Sequence, residues 1–178
     1  MHIFTALIKD HEVVKELLSE LVSLDESDTE ARDELVQEIR DNLVPHARAE
    51  ESVFYNSLRA LDTNKDVVMH GFREHMEAEA LLRLLQVEDK LNLGWKNTAK
   101  KLKHAVEHHI QEEEGKIFAT ARHVISKEEG ETLGDLFEKV KPQIEEEGFM
   151  KNSFDMVVNM MPVRFATAIK NMGTSQKA

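Results

Sequence analysis

The sequence contains two histidine–glutamate pairs whose spacing suits metal binding. In each pair the glutamate follows the histidine by four residues: His46 with Glu50, and His109 with Glu113. Four residues advance an α-helix by about 40° around its axis, so both side chains of a pair would lie on one helix face. Imidazole and carboxylate ligands suit iron, manganese or zinc. No Ser/His/Asp triad, phosphate-binding glycine loop or nucleotide fingerprint is evident elsewhere in the sequence.

Two further histidines, His11 and His75, interrupt the apolar stripes of predicted helices, as His46 and His109 do. A single buried histidine is most often a hydrogen-bonded core residue. Four such interruptions, two of them followed by a glutamate, are different, because buried carboxylates are unfavourable unless they are paired or bound to metal. A cation bound by all six side chains would remove that cost. The pattern therefore predicts a metal site in the core of a helical bundle.

An internal repeat relates these residues to one another. The segment HEVVKELL from His11 matches HMEAEALL from His75, and HARAEESVFY from His46 matches HIQEEEGKIF from His109. The spacings agree, since 46 − 11 = 35 and 109 − 75 = 34. Each half is therefore predicted to be a helical hairpin. Two facing hairpins would give two pseudo-equivalent metal positions, with the two glutamates placed to bridge them.

Four long helical patterns must position these side chains. Apolar residues recur with helical periodicity over residues 3–24, 29–61, 66–89 and 95–125. Pro45 lies within the second pattern and predicts a kink or break near Val44. Short links between long helices are typical of an up-down-up-down four-helix bundle. The fold class is therefore predicted to be all-α, with residues 1–125 forming the bundle as two pseudo-repeats, 3–61 and 66–125.

The remaining residues are predicted to form a short C-terminal helical extension over 126–172 and a tail over 173–178. Ser126 and Glu129 resemble a capping box that opens a short fifth helix. The segment after it is apolar and rich in methionine, an adaptable filler of core gaps. It is expected to pack on the bundle or on a partner subunit, which would give a homodimer.

The composition limits the classes of function. The 178 residues carry a net charge of −11, which argues against nucleic acid and anionic membranes as partners, since both are bound by clustered Lys and Arg. The absence of cysteine excludes disulfides, iron–sulfur clusters and cysteine-type zinc sites. The N-terminus is too charged for a signal peptide, and no stretch approaches the ~20 apolar residues of a membrane span. A cytoplasmic protein is expected.

At these histidines and glutamates the sequence resembles the hemerythrin-like family, which carries the HHE cation-binding domain. The resemblance covers about residues 3–125 and rests on the pattern His11, His46-x-x-x-Glu50, His75 and His109-x-x-x-Glu113. It implies a four-helix bundle around a non-heme di-iron centre. It also implies that the four histidines are terminal iron ligands and the two glutamates bridging ligands, with an oxo or hydroxo bridge between two iron ions.

The sequence departs from the oxygen-carrying members of the family at one position. Those proteins have a further histidine one turn before the third-helix ligand, where this chain has Gly71. The adjacent His70 would reach the metal only if the helix is irregular there. Otherwise one iron has a more open coordination sphere, or Glu79, Tyr55 or water completes that sphere. An open position favours reaction with oxygen or peroxide over reversible storage.

The glutamate of the fourth helix has more than one candidate register. The repeat favours His109 with Glu113, because its offsets then place apolar residues where the first half has them. Oxygen carriers often place this carboxylate five residues on, so Glu114 with His109, or Glu113 with His108, stays open. Glu51 and Glu114, which follow the two predicted bridging residues, are either hydrogen-bond partners of the ligand histidines or solvated.

Two functions follow from the resemblance. The first is a di-iron protein that binds or reacts with oxygen, peroxide or nitric oxide, with or without catalytic turnover. The second is an iron-dependent sensor or iron buffer without turnover. A helical bundle that holds no metal is the structural alternative, and metal analysis would separate it from the other two.

Overall fold

Every regular element in the described part of the protein is helical. The structure, a computed structural model, describes residues 1–60, 65–90 and 94–147. The α-helices are α1 (Ile3–Ser23), α2 (Thr29–Glu50), α3 (Asn56–Ala60), α4 (Lys65–Lys90), α5 (Trp95–Glu112), α6 (Phe118–Ala121) and α7 (Lys127–Glu147), and π-helical turns lie at Glu51–Tyr55 and Glu113–Ile117. The predicted all-α class is confirmed for these residues.

The helices pack together as a bundle. Helix α1 contacts α2, α5 and α7, and helix α4 contacts α2 and α5. Each π-helical turn continues directly from one helix into the next, so that α2 and α3 form one rod, and α5 and α6 another. The long helices bury an apolar stripe and expose a charged face, as amphipathic helices around a shared core do.

The apolar core consists of two clusters with a polar layer between them. The first cluster includes Val14, Leu43, Ala78 and Val106. The second includes Leu7, Ala49, Phe72 and Ile117. On each of α1, α2, α4 and α5, a buried histidine stands between residues of the two clusters: His11, His46, His75 and His109. The fold therefore brings the four histidines to one level of the bundle.

A kink or break was predicted near Val44, and helix α2 continues through Pro45 without a break. A proline inside a helix lacks the amide hydrogen that would bond to the preceding turn. Every residue from Leu43 to Glu50 is buried. Packing around this stretch therefore holds the helix together despite the missing hydrogen bond.

The fifth rod, α7, is longer than predicted. The capping box at its start is confirmed, because Ser126 N donates to Glu129 Oε2 at 2.8 Å and Glu129 N donates to Ser126 Oγ at 3.2 Å. The helix then runs for 21 residues and packs on α1 and α2, so the expectation of a short helix was wrong. The glycine at position 134, inside this helix, is explained by close packing, because a Cβ atom there would collide with the carbonyl oxygen of Met1. The glycine allows the N-terminus to lie against the helix, and packing there offsets its low helix propensity.

The Met-rich segment and the tail, residues 148–178, lie outside the described residues, and so does the predicted contact of that segment with a partner subunit. Within the described ranges, no helix has the length and apolar character that crossing a membrane requires.

Candidate metal centre

The six predicted ligands lie in the polar layer and are all buried. Their relative exposures range from 0% to 6%. They come from four rods: His11 from α1, His46 and Glu50 from α2, His75 from α4, and His109 and Glu113 from α5 and the turn that follows it. Imidazole and carboxylate groups lose their hydration on burial, so they need compensating partners.

Glu50 joins two groups of candidate ligand atoms. One group contains Glu50, His11 and His46, and the other contains Glu50, His75 and His109, with the ligand atoms of each group within 4.8 Å of one another. Glu50 Oε2 lies 3.3 Å from His46 Nε2 and 3.6 Å from His75 Nε2. A carboxylate shared by two such groups has the position of a bridging ligand.

Glu113 lies beside His11, with its Oε2 atom 3.2 Å from His11 Nε2. Within the described residues, both carboxylate oxygens of Glu113 and of Glu50 lack hydrogen-bond partners, and so does His11 Nε2. The short approaches between these atoms therefore do not have hydrogen-bond geometry. Buried polar atoms without partners are unfavourable, and a cation among their lone pairs would satisfy all of them.

His75 and His109 provide a second indication that these residues fit a cation. Their Nε2 atoms are 3.0 Å apart. Both Nδ1 atoms lie within hydrogen-bond distance of carboxylates, and with Nδ1–H as the donor each Nε2 is an acceptor. Two facing acceptors repel unless a proton or a cation lies between them. The donor set of imidazole and carboxylate suits iron, manganese or zinc.

Each of the four buried histidines has its Nδ1 atom beside a carboxylate. The pairs are His11 with Glu114 at 2.9 Å, His46 with Asp10 at 3.1 Å, His75 with Glu51 at 2.9 Å, and His109 with Glu74 at 3.0 Å. Donation from Nδ1–H leaves the lone pair on Nε2, which faces the interior. Carboxylates in this position fix the tautomer and the ring orientation of metal-binding histidines.

These outer carboxylates follow the internal repeat. Asp10 and Glu74 each precede a buried histidine and accept from the histidine of the next long helix. Glu51 and Glu114 accept from a histidine of the other half. The sequence had made Glu51 and Glu114 candidates for this role, and it missed Asp10 and Glu74. The available signal was the acid that directly precedes the first histidine of each half.

The two π-helical turns lie at matching places in the repeat. One begins directly after Glu50 and the other begins at Glu113. Such turns add a residue to the helical turn and are frequent at functional sites. Each turn lies at a pair of consecutive glutamates that have different surroundings. In the second pair, Glu113 is buried in the core, whereas the side chain of Glu114 is 32% exposed and bonds to His11. His108 is also exposed, and the structure thus places the pair His109 and Glu113 in the interior.

Tyr55 packs beside His75 at the edge of the centre. The two rings stack with centroids 5.6 Å apart and planes 6° apart. A Cβ atom on Gly71 would collide with the Tyr55 hydroxyl and ring. The hydroxyl is buried without a hydrogen-bond partner among the described residues. Burial, together with the charges of Glu50 and Glu113, raises the pKa of Tyr55 well above its usual value, so the phenol stays protonated.

Two other candidates for completing the coordination lie outside the two groups around Glu50. The side chain of His70 is 52% exposed and contacts Glu74 and Glu112. Glu79 accepts from the guanidinium groups of Arg48 and Arg83. The structure therefore places His70 at the surface and pairs Glu79 with two cations.

Burial sets the charge of two of the histidines. Burial and the neighbouring His46 lower the pKa of His11 to about 4, and burial lowers the pKa of His75 well below its usual value. Both imidazoles are therefore neutral at pH 7, the form that binds metal. At His46 the effect of burial is outweighed by the hydrogen bond to Asp10 and by the nearby carboxylate of Glu50, which raise its pKa to about 9.

A small cavity adjoins the four histidines. Its volume is about 20 Å³, and it is lined by the histidines, Val14, Leu43, Glu74, Ala78, Val106 and Ile110. A cavity of ~10–15 Å³ holds one water molecule. The space is therefore sized for one very small ligand, and most of its other lining is apolar.

Comparison with protein families agrees with this geometry. The model of the hemerythrin HHE cation binding domain matches residues 2–121. The chain belongs to this family. The match contains all six buried candidate ligands and their four outer carboxylates, and the buried groups around Glu50 could hold the cations that HHE domains bind.

This HHE chain is also similar to a curated protein whose name refers to DNA cleavage. A DNA nickase from Nostoc sp. (strain PCC 7120 / SAG 25.82 / UTEX 2576) is 27% identical over 146 residues. The similar region is 82% of this chain and 41% of the nickase, so the chain spans less than half the length of that relative. No solved structure matches the chain significantly.

Proposed function

We propose that this HHE protein is a non-heme di-iron protein that binds or reacts with oxygen, peroxide or nitric oxide. In the proposal, an up-down-up-down four-helix bundle holds one iron at His11 and His46 and one at His75 and His109. Glu50 and Glu113 bridge the two. The single observation that carries the proposal is the pair of buried three-ligand groups joined by Glu50, in a family that binds cations.

Iron would supply the redox chemistry when bound, and the protein's own residues would orient and insulate it. The outer carboxylates hold each Nδ1–H, so that every Nε2 faces inward before the metal arrives. The apolar clusters on both sides of the polar layer limit access of water. Such surroundings tune the potential of a metal site.

The cavity beside the histidines supports a very small ligand. It lies on the side of the first apolar cluster, whereas Tyr55 belongs to the second. A diatomic molecule or peroxide would fill the cavity, while the protonated Tyr55 would occupy the opposite side as a hydrogen-bond donor rather than as a phenolate ligand. Larger substrates do not fit a space of about 20 Å³.

Metal analysis tests the proposal. Untagged protein, purified without added metal and passed over a chelating resin, should retain two iron ions per chain. The variants His46→Ala and His109→Ala should each lose iron, whereas the exposed His104→Ala, on the same helix as His109, should keep both ions. A metal-free protein that is as stable as the iron-loaded one would overturn the proposal.

Optical spectra then separate the types of reactivity. The reduced protein would be mixed with oxygen, peroxide or nitric oxide. A reversible oxygen adduct indicates carriage, and consumption of peroxide indicates an enzyme. Inertness to all three ligands excludes this function and leaves the second candidate.

The second candidate is an iron-dependent sensor or iron buffer, and the contact between α7 and the centre favours it. Lys141 Nζ lies 2.8 and 2.6 Å from the two carboxylate oxygens of Asp10, the partner of His46. Phe137 packs edge-on against His46 with ring centroids 5.7 Å apart. Iron at His46 would thus stabilise the docking of α7. Iron-dependent protection of α7 from proteolysis, in a protein inert to all three ligands, would identify this function.

Nicking of DNA belongs to the relative, and we do not transfer it to this chain. The net charge of −11 disfavours contact with phosphate backbones, which attract clustered Lys and Arg. We propose that the partners are small ligands rather than nucleic acid or membrane. Homodimer formation through the C-terminal extension and a cytoplasmic location remain part of the proposal.

A further inference from the structure

A second cluster of metal-binding side chains lies at the surface between α4 and α5. His70 and Glu74 are four residues apart on α4, and His108 and Glu112 are four residues apart on α5. Each helix therefore presents a histidine–glutamate pair on one face. The pairs meet, because His70 Nε2 lies 3.1 Å from Glu112 Oε2 and 3.5 Å from Glu74 Oε1.

We infer that His70, Glu74 and Glu112 bind a further divalent transition-metal cation, separate from the buried centre. Their ligand atoms lie within 4.8 Å of one another. Ligands at ~2.0–2.2 Å from a tetrahedral Zn²⁺ are about 3.4 Å apart. The distances of 3.1 and 3.5 Å from His70 Nε2 to the two carboxylates fit that geometry. Three protein ligands leave a fourth position for water.

The neighbours of the cluster support binding of a cation. The two carboxylates balance the charge of a divalent ion. His108 Nδ1 lies 3.0 Å from Glu74 Oε1 and steadies that carboxylate from the other helix. Lys116 binds the opposite oxygen of Glu112, Oε1, and leaves Oε2 facing His70. A cleft of about 300 Å³, lined in part by Glu74, His104 and His108, adjoins the cluster at Glu74.

Glu74 connects the surface site to the buried one. Its Oε2 atom lies beside the Nδ1 atom of His109, and its Oε1 atom faces His108 and His70. A cation on Glu74 would therefore be one carboxylate away from His109. The surface site itself does not rest on the proposed di-iron function, because none of its three ligands is among the six buried ones.

Equilibrium dialysis against Zn²⁺ tests the inference. The full-length protein, as purified, would be dialysed against micromolar Zn²⁺, and bound zinc would be counted by mass spectrometry together with any iron. The double variant His70→Ala/Glu112→Gln should bind one metal ion fewer per chain than the wild type. The matched control His104→Ala, an exposed histidine of α5 that lines the cleft outside the three-residue group, should bind as many as the wild type. Equal totals in the wild type and the double variant would overturn the inference.

Two further variants keep the outcomes separate. Glu112→Gln alone changes one side chain near the surface without altering its size, so its fold should match the wild type by circular dichroism, and it should also lose the extra ion. His46→Ala should lose buried metal and keep the surface ion. If His46→Ala loses nothing while the double variant loses one ion, the di-iron proposal fails and the surface site stands. The reverse result removes the surface site and leaves the di-iron proposal intact.

Discussion

The hydroxyl of Tyr55 occupies the space that a side chain on residue 71 would need. A Cβ atom at Gly71 would collide with the hydroxyl and with two ring carbons of Tyr55. The family's oxygen carriers have a histidine at this position by the resemblance described above. In this chain an aromatic side chain from another helix fills that side of His75 instead. The glycine and the tyrosine are therefore a matched pair.

Gly71→Ala should destabilise the protein, because the added methyl group displaces Tyr55 from a packed core. Overpacking of this kind costs about 1–3 kcal/mol in the free energy of unfolding. Gly115→Ala is the matched control, since a Cβ atom there meets no neighbouring atom within 4 Å. That change should be neutral or stabilise by up to ~1 kcal/mol, because alanine favours helices over glycine. Urea unfolding of both variants measures the difference, and equal effects at the two positions would contradict the prediction.

Glu113→Gln should have opposite effects with and without metal. In the metal-free protein, the carboxylate is fully buried and has no hydrogen-bond partner among the described residues. A neutral amide of the same size is less costly to bury, so the free energy of unfolding should rise by about 1–3 kcal/mol. With iron bound, the variant should be less stable than the wild type, because the proposed bridging carboxylate is lost. Thermal unfolding with and without metal tests both signs, and a loss of stability in the metal-free form would refute the argument.

Asp10→Ala should weaken metal binding although Asp10 is not a predicted ligand. The substitution removes the acceptor of His46 Nδ1 and releases Lys141. Removing such an outer partner typically lowers metal affinity about 10–100-fold. Glu12→Ala is the control, because Glu12 is an exposed acid nearby on α1 whose described contact is with Lys15. Chelator competition gives both affinities, and a weakening that is the same in the two variants would show a general charge effect.

Metal affinity should rise with pH up to about 9. Binding requires neutral imidazole, so a proton on any ligand histidine competes with the metal. His11 and His75 are already neutral at pH 7, whereas His46, with a pKa of about 9, holds its proton longest. Without metal the sign reverses: stability from protonated His46 is fully present below its unfolded pKa of ~6.5 and is lost as pH rises through 9. Above about pH 7 the unfolded histidines are largely neutral, so the lowered pKa values of His11 and His75 no longer change the stability. Zn²⁺ affinity and metal-free stability measured from pH 7 to 9 should therefore change in opposite directions.

Sequence periodicity was sufficient to place four buried histidines on their helices and to favour the buried His109 over the exposed His108. A histidine on the apolar face of a helix is expected to lie in the core of the bundle. Both halves of the repeat show this pattern, so the sequence alone was enough to group His11, His46, His75 and His109. The same reasoning favoured Glu113 over Glu114, and the structure places Glu113 inside.

Features that depend on packing between helices could not be predicted in this way. The π-helical turns at Glu51–Tyr55 and Glu113–Ile117 were not predicted, because the sequence periodicity there is that of an ordinary α-helix. Pro45 has a strong local tendency to break a helix, which burial on all sides overrides. The contact of His70 with Glu112 joins two helices whose relative rotation no single-helix pattern specifies.

The link from Lys141 through Asp10 to His46 also affects where this protein can be divided. The family match ends at residue 121, yet Phe137 and Lys141 contact the centre or its immediate support from α7. A fragment cut at the family boundary would expose His46 on that side and leave Asp10 without its lysine. The surroundings of His46 and Asp10 therefore include a helix that lies beyond the family match. A fragment that keeps all of these contacts would have to extend through Lys141, beyond the domain that gives the family its name.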